Sequence, residues 1–402
     1  MKIKVGVIFG GESVEHEISV ITAAQAMAAI DREKYDVYPI YISKNRQFYS
    51  SDALLNMDTY KDLAKLEKTV PQVFFYRNKN DFMMAEMTKK LFNNKEIKLD
   101  VVLPIMHGTN GEDGSLQGYL ETLKVPYGGS DVYASAVGQD KVLMKHILSD
   151  YGLPITPWFW LYSYDFNQSR EKYIQKAEEL GYPVIIKPAC LGSSIGIYTA
   201  HNEEEFIHAV NESSLYDRKL VVEKMITHLK EVNASVLGNS AKQRVSVLEE
   251  VNKSGDILSF EQKYMGNGGG KNGSKGTPSK SAGMASASRI IPANISAEDE
   301  ALVKQYAKET FKVLGSSGVC RIDFMQDMDS GKIYVNEINS IPGSLAFYLW
   351  DKSGINFTEL MDALIKLAID RKREQEKMVV SFDSNVLTHF GKGAKGAKGA
   401  KS

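Results

Sequence analysis

Two short stretches near the carboxyl end of the chain concentrate oxygen donors and a guanidinium: Arg321-Ile322-Asp323 and Asn336-Glu337-Ile338-Asn339. Both lie in strand-like runs, VCRIDFMQD and KIYVNEINS. Alternate side chains of a strand share a face, so Arg321 lies with Asp323, and Glu337 with Asn339. If the two strands pair, two carboxylates and an amide oxygen converge as hard donors suited to magnesium on nucleotide phosphates, with an arginine to neutralise developing charge. Spacing alone equally admits the outward polar face of a sheet. The Ser340-Ile341-Pro342-Gly343-Ser344 turn that follows favours chemistry, because a proline-glycine turn exposes backbone N–H groups able to hold an oxyanion.

A second group is Lys187-Pro188-Ala189-Cys190-Leu191-Gly192-Ser193-Ser194-Ile195-Gly196, a strand lysine before a small-residue turn that lets backbone amides approach phosphate. The lysine precedes the turn instead of closing it, so this is not the P-loop pattern. A third is His107-Gly108-Thr109-Asn110-Gly111-Glu112-Asp113-Gly114, after the apolar run VVLPIM, at the carboxyl end of a strand where α/β folds build sites. In isolation His107 reads equally as a capping or core residue, with Glu112 and Asp113 favouring the start of the next helix. Glu15 and Ser19, one turn apart early in the first helix, carry the same two readings.

The elements that must position these residues follow from periodicity. IKVGVIF (3–9), the Gly10-Gly11 turn and SVEHEISVITAAQAMAAI read as strand, turn and helix, and YDVYPIYIS and DVVLPIMHG alternate with helical DGSLQGYLETL. This is a parallel sheet covered by helices, the N-terminal α/β (Rossmann-like) domain, residues 1–129, with 44–97 as its peripheral elements. SAVGQDKVLMKHILSDYG reads as one amphipathic helix closed by glycine, and PVIIKPACLGSSIGIYTA as two strands around the small-residue turn, which define a central unit, 130–222. The third unit, 223–376, holds strand-like RVSVLEEV, the helical stretch SAEDEALVKQYAKETFKVLG and the two donor strands. Its glycine-, serine- and lysine-rich segment suits a mobile flap over 263–289, and 377–402 reads as a disordered tail.

Composition narrows the function classes. In 402 residues, 49 Lys+Arg against 50 Asp+Glu leave a net charge of -1, so no global field collects nucleic acid or an acidic membrane. Cys190 and Cys320 lack metal-ligand spacing, and no window reaches membrane-spanning length. Cytoplasmic localisation is the expectation.

GGESVEHEIS, HGTNGEDGSLQGYLE, VIIKPACLGSSIGI and RIDF with NEINSIPGS, in that order, resemble the D-alanine:D-alanine ligases of the ATP-grasp family from about residue 3 to 375. The resemblance implies a three-domain ATP-grasp fold of mixed α/β and α+β character, and ATP-dependent joining of two D-alanines through an acyl phosphate for peptidoglycan precursors. It implies ATP and two Mg2+ ions (Mn2+ as a substitute), small-molecule substrates and a homodimer. Carried over, it makes Asp323, Glu337 and Asn339 the metal ligands. Lys141, Lys187 and Ser194 become phosphate contacts, Glu223-Lys224-Met225-Ile226 the adenine hinge, and Glu231 the ribose acid. Lys263 and Tyr264 stand at the flap root, Tyr264 in a hydrogen-bonded set with Glu15 and Ser193. Glu15 receives the first substrate's ammonium, His107 orients it, and Arg321 with the Gly343 N–H stabilises the oxyanion.

The family commonly places a serine and a leucine after the proline-glycine turn to hold the second substrate's carboxylate. By counting, Tyr348 and Leu349 occupy these positions, so the pocket is differently shaped. D-serine or D-lactate therefore stand as alternative acceptors. A catalytically silent ATP-binding regulatory module is the alternative from another class, opposed by the intact Asp323, Glu337, Asn339, Arg321 and Lys187. A dinucleotide-dependent oxidoreductase is excluded, since Gly10-Gly11-Glu12-Ser13 lacks the three-glycine fingerprint.

Overall fold

The structure is a computed structural model and describes residues 2–87, 95–252 and 288–381. Lys263, Tyr264, the other flap lysines and the Gly/Lys tail lie outside the described residues.

The amino-terminal part contains β1 (Ile3–Gly10), α1 (His16–Ala29), β2 (Tyr35–Ile42), β3 (Phe48–Tyr49), α2 (Leu63–Thr69), β4 (Val73–Asn78), β5 (Asp81–Glu86), β6 (Glu96–Leu99), β7 (Val101–Pro104) and α3 (Ser115–Thr122). One sheet runs β3-β2-β1-β7, with β1 parallel to both β2 and β7. From Val5 to Phe9 β1 carries no polar side chain because both its faces are covered: Val5, Val7 and Phe9 pack towards α1, while Ile8 packs with the residues of β4, β5 and α3. The stretch without a clear period, 44–97, thus contains a three-stranded antiparallel sheet, β4-β5-β6, against the second face. At the end of β1, Gly10 has φ 95, and a Cβ there would stand 2.3 Å from the Ile42 carbonyl, so the turn that aims α1 requires glycine.

Next come α4 (Val132–Gln139), α5 (Lys141–Tyr151), β8 (Trp158–Tyr162), α6 (Ser163–Gln168), α7 (Arg170–Leu180), β9 (Val184–Pro188), β10 (Tyr198–Ala200), α8 (Glu203–Ser213) and β11 (Lys219–Lys224). The single helix expected over 135–152 is two. Asp140 leaves helical geometry and its carboxylate accepts the N–H groups of Val142 and Leu143, so one helix ends and another is capped at this residue. Gly152 closes α5 in the left-handed conformation, as its position predicts. These strands form the antiparallel sheet β10-β9-β11-β8; β11 runs across position 222 and pairs with both β9 and β8.

The last part comprises β12 (Leu229–Gly238), β13 (Gln243–Asn252), β14 (Ser288–Ile290), α9 (Ala297–Val313), β15 (Gly318–Asp327), β16 (Ile333–Asn339), α10 (Phe347–Lys352) and α11 (Phe357–Gln375). Its sheet is β14-β13-β12-β15-β16, antiparallel throughout. Val232, Ala234, Ile322, Phe324 and Val335 face α9, where Val303, Ala307 and Phe311 bury them. Strand alternation then forces residues 231, 233, 321 and 323 onto the opposite face. α11 touches the end of this sheet at Val319 and Leu237 but reaches beyond it. Leu360, Met361, Leu364, Ile365 and Ala368 return to the first core with Val5, Val7 and Val101; burying each large apolar side chain contributes about 1.5–3 kcal/mol. Among the described residues the fold is mixed α/β without a closed barrel. Among the described residues no helix is long and apolar enough to cross a membrane.

Candidate active site

The polar face of the five-stranded sheet forms one wall of a cleft lined by Glu231, Arg321, Asp323, Glu337 and Asn339. β15 and β16 pair in the register that places Arg321 opposite Asn339 and Asp323 opposite Glu337. Arg321 grips Asp323 through two bonds, Nε to Oδ1 at 2.6 Å and Nη2 to Oδ2 at 2.8 Å, and Asn339 Nδ2 donates to the same Oδ2 at 3.2 Å. Burial raises the Asp323 carboxyl above the usual range, Arg321 opposes this, and the charges of Glu337 and Glu231 raise it further. A divalent cation relieves that kind of repulsion, so the donor set fits one. Among the described residues no group of three or more His, Cys, Asp or Glu side chains is arranged to hold a metal. Two carboxylates and an amide suit magnesium whose remaining ligands are phosphate oxygens and water.

The opposite wall comes from α5, β9 and the turn after it, through Lys141, Lys187, Gly192, Ser193 and Ser194. Ser193 and Ser194 both adopt left-handed backbone, φ 58 and 59, strain of a kind that clusters at ligand-binding turns. The turn is stitched to the helix pair: Lys141 N–H donates to the Ala189 carbonyl, Lys141 Nζ to that of Leu191 at 2.9 Å, and Gln139 Nε2 to that of Cys190. Cys190 therefore contributes main chain here. Lys141 Nζ also lies 3.7 Å from Glu337 Oε2, and Lys187 Nζ lies 3.3 Å from Asn336 Oδ1, so both ammonium groups reach across to the carboxylate wall.

The hinge departs from expectation. The Glu223 side chain does not line the cleft; it is buried, with Oε2 accepting from Thr156 at 2.8 Å and lying 3.4 Å from Lys145, and Oε1 3.2 Å from Lys187. Burial opposes its ionisation, yet Lys145 and Lys187 hold its carboxyl down at about 2. Glu223 is thus a counter-ion that sets the Lys187 ammonium. The Lys224 ammonium likewise points away, to the carbonyls of Gly181 and Tyr182, and its N–H is taken by Pro157. Ile226 is half-buried beyond it.

At the third side, the Ser193 hydroxyl donates to Glu15 at the start of α1, which brings the two together as the sequence implied. His107 does not line the cleft. It is buried behind it, with its N–H on Ser19 Oγ at 2.8 Å, its Nε2 2.9 Å from Thr22 Oγ1, and a bond to the Ile341 main chain. Burial lowers it to about 4, so it is a neutral brace that acts through the loop it fixes. Glu112 is the unexpected member. Asp113, not Glu112, caps the approach to α3, while Glu112 lines the cleft and accepts from Gly108 N at 2.8 Å and Ile341 N at 3.1 Å. Burial, then the neighbouring Glu15 charge, push it up to about 8.

After Gly343, Ser344, Leu345 and Ala346 take three successive left-handed conformations, φ 53, 52 and 49. Such a run of non-glycine residues is strained and persists only where its surroundings hold it. Here Ser344 N–H donates to Thr22 Oγ1 at 3.1 Å and Leu345 N–H to the Pro342 carbonyl at 2.7 Å. The two residues counted into the acceptor site are both corrected. Leu349 is fully buried and away from the cleft, and the Tyr348 hydroxyl is engaged by Glu249 Oε1 at 2.9 Å. A half-turn after a left-handed stretch cannot be counted by sequence offset. Asn233, Glu249 and Arg289 line the cleft instead. Alternation along β12 from Glu231 already places Asn233 beside it, and pairing with β13 adds Glu249. Arg289 carries no sequence signal.

Family models for "D-ala D-ala ligase N-terminus" and "D-ala D-ala ligase C-terminus" match residues 4–130 and 147–366. A D-alanine–D-alanine ligase of Thermosipho melanesiensis is 39% identical over 386 residues, 96% of this chain and 98% of that protein. The D-alanine-D-alanine ligase of Coxiella burnetii superposes with a TM-score of 0.76 at 30% identity, covering 94% of this chain and 96% of that one. The VanG D-Ala:D-Ser ligase of Enterococcus faecalis superposes at 0.74 with 29% identity, over 92% of this chain and 100% of its own.

Proposed function

The chain belongs to the D-alanine–D-alanine ligase family, and we propose that it joins two D-alanines in the cleft between the Lys141/Lys187 wall and the Asp323/Glu337 wall. Membership brings with it the use of ATP and a place in peptidoglycan synthesis. The observation that supports this site is the reach of Lys141 Nζ to Glu337 across the cleft, which sets phosphate-binding cations against metal-binding carboxylates.

Glu15, held by Ser193, takes the ammonium of the first D-alanine. A carboxylate oxygen of that first D-alanine attacks the γ-phosphorus of ATP, the new O–P bond replaces the bond to ADP, and ADP leaves with that electron pair. This needs in-line positioning and charge neutralisation more than covalent help, and Lys141 and Lys187 supply the charge. Asp323, Glu337 and Asn339 would hold magnesium, which would supply neutralisation of the phosphate charge. The amine of the second D-alanine then attacks the acyl carbon. Arg321 and the Gly343 N–H face the oxyanion, a C–N bond forms, and phosphate leaves while the amine releases its proton. Glu231 takes the ribose hydroxyls, and the main chain at 224–226, not the Glu223 carboxylate, meets the adenine. A homodimer in the cytoplasm, with no nucleic-acid or membrane partner, completes the reading.

The test is phosphate release from ATP and magnesium with D-alanine, D-serine or D-lactate offered as acceptor beside D-alanine, with products identified by mass. D-alanyl-D-alanine in step with phosphate is expected. A mixed product made in preference would move the acceptor, and no turnover in protein that binds ATP would support a silent module.

A further inference from the structure

We propose that Arg289, on the edge strand β14, receives the carboxylate of the second D-alanine and makes the enzyme select acceptors that carry one; this rests on the ligase reading above. Arg289 lines the same cleft as Arg321 and Asn233. β14 pairs with β13 so that Arg289 stands opposite Val251, two residues along from Glu249 on the cleft face.

Two contacts hold the guanidinium. Its carbon lies 5.0 Å from the centroid of the Tyr348 ring, a cation–π position. Its Nη1 is 3.4 Å from Glu249 Oε2, too long for a strong charge-assisted bond. Glu249 itself is fixed by Asn233 Nδ2 at 3.0 Å and the Tyr348 hydroxyl at 2.9 Å, both on Oε1. What this arrangement leaves is Arg289 Nε, buried and without a hydrogen-bond partner among the described residues. A buried guanidinium N–H without an acceptor is unfavourable until something supplies one, and a carboxylate is the acceptor its planar fork matches best.

Among the described residues the other cations lining the cleft are committed. Arg321 places two nitrogens on Asp323, and Lys141 and Lys187 are held at the phosphate wall by Leu191, Asn336 and Glu223. The acceptor's amine must reach the acyl carbon beside Arg321, and its carboxylate is one carbon away from that amine. The Tyr348 ring backs Arg289 in the cleft that Arg321 also lines, so the proposal puts that carboxylate between the two arginines. The tyrosine that replaces the family's serine closes its hydroxyl on Glu249 and lends its ring as the platform for a cation. The carboxylate receptor has moved from the helix after the turn to the edge of the sheet.

The experiment compares D-alanine with D-alaninamide as acceptor in the wild type, R289Q and R289K, with each product identified by mass. The ratio of kcat/KM for the two acceptors is read in each protein, so the intrinsic difference between the two amines cancels. Wild type should favour D-alanine, and in R289Q that preference should collapse by about 10-fold or more, the value of a hydrogen bond to a charged group. R289K, which keeps a charge but not the fork, should retain part of it. Equal losses with both acceptors, in either variant, would overturn the proposal and leave Arg289 as a brace for Tyr348 and Glu249. Should R289Q fail to fold, R289K decides, through a rise in KM for D-alanine without one for D-alaninamide. A wild type indifferent to the amide overturns the proposal while the ligase reading stands; a wild type that forms neither product overturns both.

Discussion

The hydroxyl of Ser193 hydrogen-bonds the carboxylate of Glu15, joining the turn after β9 to the first turn of the chain's first helix. That bond ties a left-handed, strained turn, proposed to hold phosphate, to the carboxylate proposed to receive the first substrate. Ser193→Ala should therefore lower kcat/KM for the first D-alanine by about 10- to 100-fold, the usual weight of a bond to a charged group. Steady-state kinetics at saturating ATP checks it; an unchanged value would detach the turn from substrate capture.

Arg321 grips Asp323 at rest, and in the proposed mechanism it also faces the oxyanion. Arg321→Ala should lower dipeptide formation by about 10²- to 10³-fold, as loss of an oxyanion donor does. Because Asp323 then loses its internal cation, half-saturation by magnesium should shift to lower concentration. Nucleotide affinity, read by calorimetry, should change little.

Glu112 predicts a pH dependence. Its folded pKa, about 8, lies above the unfolded value of 4.5, so the folded state holds the proton more tightly. The stability this contributes is complete below about pH 4.5 and is lost as pH rises through about 8. Urea melts at pH 5 and pH 8 should show wild type losing stability over that span, by roughly a few kcal/mol, and Glu112→Gln losing less.

Glu223 separates a counter-ion from an adenine contact. Removing it strands Lys145, which is 0% exposed, beside Lys187. Glu223→Ala should destabilise the protein by about 3–5 kcal/mol in denaturant melts, and adding Lys145→Met should recover part of that. A raised KM for ATP at unchanged stability would restore the hinge role.

Strand alternation placed Arg321 with Asp323, and Glu337 with Asn339, from the sequence alone, because a period of two is a property of the local backbone. The order of strands and helices, the small-residue turn at Gly192–Gly196, the glycine cap of α5 and the family resemblance were equally local and equally legible. What the sequence could not decide was which polar group faces which. Asp140 interrupts a continuous apolar pattern by accepting two N–H groups, and nothing in its neighbours' hydropathy marks that. Glu223 turned inward because Lys145, from α5, met it there, and α11 joined the end of the sheet that precedes it to a core built from the first strand. Tyr348 and Leu349 were misplaced by counting because three left-handed residues rotate everything after Gly343. Arg289 acquired its place only when a sheet edge, a ring from α10 and a carboxylate from β13 closed around it. Periodicity fixes the face of an element, but the partner across that face comes from elsewhere in the chain, and only packing brings it there.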